Sequence, residues 1–318
     1  AVRLTVQYAA PTRQVPSSPA LHILAIGINA YRHNTALTLN YAVSDIEALS
    51  RDLRQVGSPT FRDVRYTGRT NAQATRQGVE AAFAEAAAHV QPDDVFVLML
   101  SGHGVVEAGQ YYFLPADIPY LPPDRPNVTT EVIRAHGLNT RDFQHWFSGL
   151  KTRKTVIFLD TCHSGAFSFS PAPRDAENFE QSAMRYTTSI DRLGRATGQV
   201  IVAATTAQEK ALEGYNNHGF FTYVLLEALR YADTPLCGNN DGELALAEIF
   251  NFVRWRLPIL SRQASGTEFE QIPRVIIQQA EWRYFQSPIG RALRPDTVPS
   301  PLPSRLNQAC AKERLAAR

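Results

Sequence analysis

The sequence predicts an α/β domain built on a largely parallel sheet with helices on both faces, and two patterns predict it. Several short runs are almost continuously apolar, as expected of strands that are buried on both faces. Amphipathic segments with apolar residues three and four positions apart lie between these runs, as expected of helices that connect parallel strands. A hydrophobic content of 44% over 318 residues supplies enough apolar side chains for a sizeable core.

The first half of the chain holds three predicted strands and three predicted helices. The strands are LHILAIGI (21–28), DVFVLML (94–100) and the shorter YYFLPAD (111–117). The helices are marked by Ile46, Leu49, Leu53 and Val56, then by Val79, Phe83, Ala87 and Val90, then by Phe143, Trp146, Phe147 and Leu150. Thr70 or Asn71 is the predicted N-cap of the second helix, because either side chain can accept a hydrogen bond from the first helical turn.

The second half repeats this alternation of strands and helices. Its strands are TVIFLD (155–160), QVIVAAT (199–205) and RVIIQ (274–278). Its helices are marked by Phe221, Val224, Leu225, Ala228 and Leu229, then by Ile249, Val253 and Leu257. Together with the first half, these runs predict a mostly parallel central sheet of about six strands.

Three stretches interrupt the alternation and set the expected boundaries. Residues 1–20 contain three prolines and are predicted to form an N-terminal arm or linker. Residues 165–198 carry Ser, Pro, Gly and charge without a strong period, which predicts a long exposed loop. Residues 286–318 are Pro-rich and then basic, a composition typical of a tail or linker. The folded domain is therefore expected over residues 21–285.

Charge and cysteine content exclude several classes of function. The 32 basic and 30 acidic residues leave a net charge of +2, which gives no basis for binding nucleic acid or an anionic membrane. No apolar run approaches the roughly 18 residues of a membrane-spanning helix. The three cysteines argue against a disulfide framework and favour a reducing compartment such as the cytoplasm. The chain begins with Ala1 rather than Met, which is compatible with a leader or upstream domain that has been removed.

Two predicted strands end in side chains that carry chemistry. VLMLSGHG places His103 after one strand, and VIFLDTCHSG places Cys162 after another. Ligands bind beyond the carboxyl ends of the strands in open parallel sheets, so His103 and Cys162 would face one crevice if their strands are neighbours. A nearby imidazole can take the proton of a thiol, whose pKa is ordinarily about 8.5, and so activate it as a nucleophile.

The alternative is that both residues are structural. A single Cys after a strand is more often a core residue than a nucleophile, and a single His is little more informative. Their joint occurrence strengthens the case for chemistry until the two alternatives are evenly balanced, because each lies in a turn with glycine, which lets a substrate approach and leaves N–H groups for an oxyanion. The other histidines have no comparable setting, and no Cys/His pair has zinc-finger spacing.

These motifs make the sequence resemble the caspase-like cysteine peptidases, especially the metacaspase and bacterial orthocaspase branch. The central motifs are SGHG (101–104) and DTCHSG (160–165). The other stretches that resemble family segments are LAIGINAY, LNYAVSDIEAL, YYFLPADI, VAATTAQEKALEG, HGFFTYVLLEAL and DGELALAEIF. The resemblance covers roughly residues 21–282, which is most of the chain.

The resemblance implies a caspase-haemoglobinase fold and peptide hydrolysis through a thioester acyl-enzyme. It divides the domain into a large-subunit-like part (21–165), a processing loop (165–198) and a small-subunit-like part (199–285). Cys162 would attack the scissile carbonyl, and His103 would protonate the leaving amine and then activate water. The backbone N–H groups of Gly104 and Cys162 would hold the oxyanion, and no cofactor would be required.

The acids of the S1 pocket, which holds the side chain before the scissile bond, set the expected specificity. Metacaspase-like enzymes have an acidic S1 pocket and cleave after Arg or Lys, and the resemblance places Asp45, Asp160, Asp117 and Ser101 there. The alternative for Asp45 is a structural role in the first turn of a helix, where the helix dipole favours an acid. The alternative for Asp117 is a structural role in a turn. Acids are rare where a central strand ends beside a thiol, so a purely structural role is least expected for Asp160. Polypeptides with Arg, or Lys, before the scissile bond are the expected substrates.

Calcium binding and self-processing are two further family properties. Several members bind calcium through a cluster of acids, but ADIPYLPPD supplies only Asp117 and Asp124, so we expect no strong calcium requirement. An enzyme with an acidic S1 pocket could cut itself, or be cut, in the 165–198 segment. The candidate positions are Arg174, Arg185, Arg192 and Arg195.

Two other functions stay open from the sequence. One is a caspase-like regulatory or scaffold module whose catalysis is dispensable. Degenerate members usually lose the His or the Cys, and the presence of both here favours the enzyme. The other is the peptidase domain of a larger signalling protein. The expected endopeptidase itself has an activating protease or a regulatory partner as its candidate switch.

Overall fold

A computed structural model describes residues 18–163, 176–204, 213–234, 238–265, 271–277 and 288–293 of the protein. Its strands are β1 (Leu21–Gly27), β2 (Val64–Thr70), β3 (Val95–Glu107), β4 (Gln110–Phe113), β5 (Leu138–Asn139), β6 (Lys154–His163), β7 (Val200–Ala203), β8 (Glu213–Tyr215), β9 (His218–Gly219), β10 (Leu244–Ala245), β11 (Arg274–Ile276) and β12 (Pro288–Gly290). Its helices are α1 (Ala42–Gly57), α2 (Arg76–His89), α3 (Pro126–His136), α4 (Thr140–Ser148), α5 (Ala176–Thr197), α6 (Phe220–Tyr231) and α7 (Leu246–Ser265). None of these helices combines the length and apolarity that crossing a bilayer requires.

The central sheet follows the order β11-β7-β6-β3-β1-β2 along its main path. The pairs β1–β2, β1–β3, β3–β6 and β6–β7 are parallel, and β11 joins β7 in the antiparallel direction. The short strands β4 and β5 continue the sheet from the far end of β3. The predicted mostly parallel sheet of about six strands is confirmed.

Strand β1 shows how the sheet divides the core into two layers. All seven residues of β1 are buried. Ile23 faces a cluster that also contains side chains of α1, α6 and α7, whereas Leu24 and Ile26 face a cluster with side chains of α2, α4 and α5. Helices therefore cover both faces of the sheet, and a strand between them needs a continuous apolar run rather than an alternating one.

Elements without a strong apolar run escape the sequence prediction. Strand β2 reads VRYTGRT and is half-buried or exposed along its length, because it forms the edge of the sheet beside β1. Helix α3 begins with Pro126 in its first turn, where the missing N–H of proline removes no intrahelical bond. The predicted strand over 111–117 is shorter than expected, since β4 ends at Phe113.

The long exposed loop predicted over 165–198 is wrong for residues 176–197, which form helix α5. Helix α5 buries Tyr186, Ile190 and Leu193 in the cluster on the α2 and α4 side of the sheet. These three residues are four and three positions apart, which is a helical spacing. The Ser, Thr and Arg residues between and around them interrupt the apolar pattern in the sequence. Residues 164–175 lie outside the described part of the chain.

The packed region also extends further toward the C-terminus than the predicted boundary at residue 285. Strand β12 lies inside the predicted tail and pairs antiparallel with β10. Ile289 is buried, and Leu293 packs against the cluster that contains α1. Most of the predicted arm, residues 1–17, and the end of the tail, residues 294–318, lie outside the described residues.

Helix α2 is capped by Thr75, and the prediction of Thr70 or Asn71 as its cap is wrong. The Thr75 hydroxyl oxygen accepts a hydrogen bond from the backbone N–H of Gly78 at 2.9 Å. Asn71 uses its side-chain oxygen to bind two backbone N–H groups that follow β1. The cap therefore lies several residues later than the sequence pattern indicates, after a short 3₁₀ turn.

Thr75→Ala is expected to lower the free energy of unfolding by about 1 kcal/mol, because it leaves an N-terminal N–H of α2 without its side-chain acceptor. Thr70→Ala is the matched control, since the Thr70 side chain makes no capping hydrogen bond, and it should change the value by less than about 0.5 kcal/mol. Urea unfolding followed by circular dichroism measures both. Equal losses in the two variants would contradict the capping role.

Candidate active site

Strands β3 and β6 carry the two predicted catalytic residues at the same level of the sheet. Their parallel register pairs Ser101 with Asp160 and His103 with Cys162. Both catalytic candidates lie within their strands rather than after them, because both strands run on beyond these positions. From Gly104 onward, β3 also pairs antiparallel with β4 and forms a hairpin with it. The backbone of Cys162 is described, whereas its side chain lies outside the described part.

His103 is buried, and its ring has a defined orientation. Nε2 lies 2.8 Å from the backbone carbonyl oxygen of Leu37. Because a carbonyl oxygen only accepts, Nε2 carries the proton, and Nδ1 of the neutral ring keeps its lone pair. The hydroxyl oxygen of Tyr31 accepts from the His103 backbone N–H at 2.9 Å, and the two ring centroids lie 5.2 Å apart.

The electrostatic setting of His103 favours the neutral imidazole. Burial lowers the pKa of His103, and the hydrogen bond to Leu37 opposes this shift without reversing it. A neutral ring that accepts a proton at Nδ1 is the form that a general base requires. The Leu37 carbonyl fixes the tautomer, so the ring enters a reaction already oriented.

Gly104 and Ser101 lie in β3 close to the catalytic candidates. A Cβ on Gly104 would lie 2.8 Å from the Tyr111 ring and 2.9 Å from the hydroxyl oxygen of Thr161, so a larger residue would force these groups apart. Ser101 is buried and lines a narrow cavity together with Asp160, on the α1 and α6 side of the sheet.

Asp45 and Asp160 approach one point from different elements. Asp45 lies in the first turn of α1, and Asp160 lies near the end of β6. A Cβ on Gly219 would lie 3.2 Å from Oδ2 of Asp45 and 3.1 Å from Oδ2 of Asp160. The structure therefore brings together two of the three acids that the sequence assigns to the S1 pocket.

The β8–β9 hairpin and helix α6 hold these two carboxylates. His218 Nδ1 lies 2.8 Å from Asp45 Oδ1, and the Gly219 backbone N–H lies 3.2 Å from each Asp45 oxygen. The Thr222 hydroxyl donates to Asp160 Oδ2 at 2.5 Å. Burial raises the pKa of Asp45, and the hydrogen bonds from His218 and Gly219 oppose that rise. Specific donors thus partly offset the cost of burying the carboxylates.

Sequence reasoning does not identify His218, Gly219 or Thr222 as part of the site. All three lie in HGFFT (218–222), a stretch that carries the family resemblance without a role for its polar residues. The available signal is His218 and Gly219 directly before an apolar helix and Thr222 in its first turn, where side chains and backbone N–H groups can reach a neighbouring anion.

Asp117 and Asp124, the two weak calcium candidates, have different surroundings in the described structure. Asp117 Oδ1 accepts from the backbone N–H of Arg76 at 3.1 Å, a contact with the first turn of α2 that the helix dipole favours. Asp124 is exposed. Within the described ranges, no group of three or more His, Cys, Asp or Glu side chains is arranged to hold a metal ion.

Three of the four processing candidates lie on helix α5. Arg185 is exposed, and Arg195 lies in the last turn. Arg192 donates to the backbone carbonyl oxygen of Gly109 at 2.8 Å, which ties α5 to the turn between β3 and β4. The fourth candidate, Arg174, lies outside the described residues.

The family model described as Caspase domain matches residues 21–281. The chain belongs to the caspase domain family. Protein GSU0716 from Geobacter sulfurreducens has a similar structure, with 18% identity, a TM-score of 0.52 and coverage of 87% of this chain and 100% of that one. The structure of pro-sf-caspase-1 is also similar, with 14% identity, a TM-score of 0.45 and coverage of 87% and 94%. No curated protein matches the chain.

Membership in the caspase domain family confirms the resemblance predicted from the sequence. The family implies a cysteine peptidase, a hydrolase that acts on polypeptides. The likeness to GSU0716 shows a shared fold and nothing about activity. The roles of individual residues rest on the geometry of the site.

Proposed function

We propose that this caspase domain is a cysteine endopeptidase that cleaves after Arg, or Lys, through Cys162 and His103. The observation that carries the proposal is the pairing of His103 with Cys162 across two adjacent parallel strands. The buried, neutral His103 with its proton on Nε2 supports the same assignment, because its Nδ1 can accept the thiol proton. The presence of both residues favours an enzyme over a catalytically dispensable module.

The proposed reaction has two halves. In the first, the Cys162 sulfur bonds to the scissile carbonyl carbon, and the C–N bond breaks as His103 gives its acquired proton to the leaving amine. In the second, water attacks the thioester while His103 takes one of its protons, and the C–S bond breaks as His103 gives that proton to the sulfur, which releases the acid and returns the thiol. The N–H groups of Gly104 and Cys162 stabilise the oxyanion in both halves.

The proposed specificity rests on the paired carboxylates. Asp45 and Asp160 reach the same glycine from α1 and β6, and the donors at 218, 219 and 222 fix their orientation. Rigid carboxylates suit the planar guanidinium of Arg, which can form two parallel hydrogen bonds, better than the point charge of Lys. Asp117 contacts α2 instead, so we leave it out of the proposed pocket.

Wild-type protein is expected to hydrolyse fluorogenic peptides that end in Arg, to hydrolyse those that end in Lys more slowly, and to leave those that end in Asp intact. Cys162→Ala is expected to abolish turnover, because no other group is proposed to form the acyl-enzyme. Each measurement is made with calcium and with a chelator, and equal rates are expected. Turnover of the Asp peptide would overturn the specificity, and activity in Cys162→Ala would overturn the nucleophile.

Asp160→Asn is expected to lower kcat/KM for the Arg peptide roughly 10-fold to 100-fold, because a hydrogen bond to a charged group contributes about 1.5–3 kcal/mol. Asparagine keeps the shape of the side chain and can still accept from Thr222, so the charge is the main change. Asp63→Asn is the matched control, since Asp63 is exposed and pairs with Arg65. An equal effect of the two substitutions would contradict a role of Asp160 in the S1 pocket.

We also propose that the chain is cut after Arg174 rather than after the three arginines of α5. Peptidases bind their substrates as extended chains, so cleavage at 185, 192 or 195 requires local unfolding of a helix. The buried side chains of Tyr186, Ile190 and Leu193 oppose that unfolding.

After incubation, wild-type protein is expected to yield a fragment that ends at Arg174, identified by mass spectrometry. The Cys162→Ala variant, incubated without wild-type protein, is expected to stay intact. Arg174→Ala should prevent the cut. Arg185→Ala is the matched control and should leave it unchanged, because Arg185 lies on the exposed side of α5. A fragment that ends at 185, 192 or 195 would contradict the proposal.

A further inference from the structure

The hydroxyl group of Thr161 lies between two tyrosines in the layer below the site. Thr161 directly precedes Cys162, and its Oγ1 lies 3.1 Å from the Tyr111 hydroxyl and 2.9 Å from the Tyr186 hydroxyl. The Tyr186 hydroxyl also lies 3.1 Å from the backbone carbonyl oxygen of Thr161. All three residues are at most 2% exposed, so this is a buried polar network.

One assignment of protons satisfies each of these contacts. The Thr161 carbonyl oxygen can only accept, so the Tyr186 hydroxyl donates to it. The Thr161 hydroxyl then donates to the oxygen of Tyr186, and the Tyr111 hydroxyl donates to Thr161. The hydrogen bonds run in one direction and end on the carbonyl, and such chains strengthen one another in a buried environment.

The carbonyl at the end of this chain belongs to the peptide group that carries the Cys162 N–H. A peptide group is planar, so a donor that fixes its oxygen also fixes the direction of its N–H. A hydrogen bond to the oxygen also polarises the group and makes its N–H a stronger donor. That N–H is one of the two proposed oxyanion donors.

We propose that Tyr186 is a positioning residue for the oxyanion donor at Cys162, an inference that rests on the proposed peptidase function. The Tyr186 hydroxyl holds the plane of the 161–162 peptide, and helix α5 thereby supports the end of β6. Transition-state stabilisation depends on donors that are oriented before charge develops, which gives this contact a catalytic consequence.

Helix α5 has anchors that do not involve the Tyr186 hydroxyl. Asp191 forms two hydrogen bonds with Arg274 of β11, at 3.2 and 2.9 Å. Ile190 and Leu193 are buried in the core cluster, and Arg192 binds the turn between β3 and β4. Removal of the hydroxyl alone should therefore leave α5 in place, which separates positioning from folding.

The test substitution is Tyr186→Phe, which keeps the ring and removes the hydroxyl. We expect kcat to fall roughly threefold to tenfold with KM unchanged, the effect of losing one hydrogen bond of ordinary strength. A peptide aldehyde, whose adduct with Cys162 carries the oxyanion, should bind more weakly by the same factor. Ser189→Ala is the control, because it removes from the same helix a hydroxyl that donates to the Tyr186 backbone oxygen.

A spectroscopic readout makes the test independent of turnover. Cys162 is the only cysteine in the sequence that follows a threonine. Labelling Thr with carbonyl ¹³C and Cys with ¹⁵N therefore gives one correlation in an HNCO spectrum, that of the 161–162 peptide. Tyr186→Phe is expected to move this signal, with the carbonyl carbon shifting upfield as it loses its donor, and Ser189→Ala is expected to leave it in place.

The outcomes separate the inference from the proposed function. An unchanged signal in Tyr186→Phe overturns the inference whatever the activity. A moved signal with unchanged kcat and aldehyde affinity also overturns it, because the contact would then be structural only. A moved signal in Tyr186→Phe, together with a wild-type protein that cleaves none of the peptides, overturns the proposed function and leaves the coupling between Tyr186 and the 161–162 peptide.

Discussion

The parallel pairing of β3 with β6 is the constraint on which the site depends. The register runs without a shift from Val95 opposite Lys154 to Gly104 opposite His163. A slip of one residue would turn every side chain of one strand to the other face, so the buried apolar residues of both strands hold the register in place. The same apolar packing that stabilises the sheet therefore decides that His103 and Cys162 meet.

The end of β6 is held by both layers of the fold. Asp160 accepts from Thr222 of α6 on one side of the sheet, and Thr161 joins Tyr186 of α5 on the other. Successive residues of a strand point to opposite faces, so two adjacent positions can be fixed by two different helices. This arrangement restrains the two residues directly before Cys162, and the proposed nucleophile would depend on such support from its neighbours.

How much the sequence predicts follows from how each element is stabilised. The central strands are predictable because burial on both faces demands Ile, Leu and Val, and the site residues follow from glycine-flanked motifs at the ends of two such strands. Edge strand β2 and helix α5 are harder, because their apolar positions are interrupted by Arg, Thr and Ser. Tyr186 carries no local signal, since its partner Thr161 is distant in the sequence and adjacent only in the fold. His218 is marked only by its place before an apolar helix, and its partner Asp45 is equally distant in the sequence.

In the proposed S1 pocket, stability and specificity would depend on one set of contacts to the paired acids. A buried carboxylate without donors would be strongly unfavourable, and the protein supplies donors from a hairpin to the buried Asp45 and a donor from α6 to the half-buried Asp160. Those donors also remove rotational freedom from the carboxylates. A guanidinium is planar and donates its hydrogen bonds in a fixed geometry, so its affinity increases most when the acceptors do not move. The affinity of a flexible ammonium increases less. The contacts that make burial tolerable are thus the ones that would favour Arg over Lys.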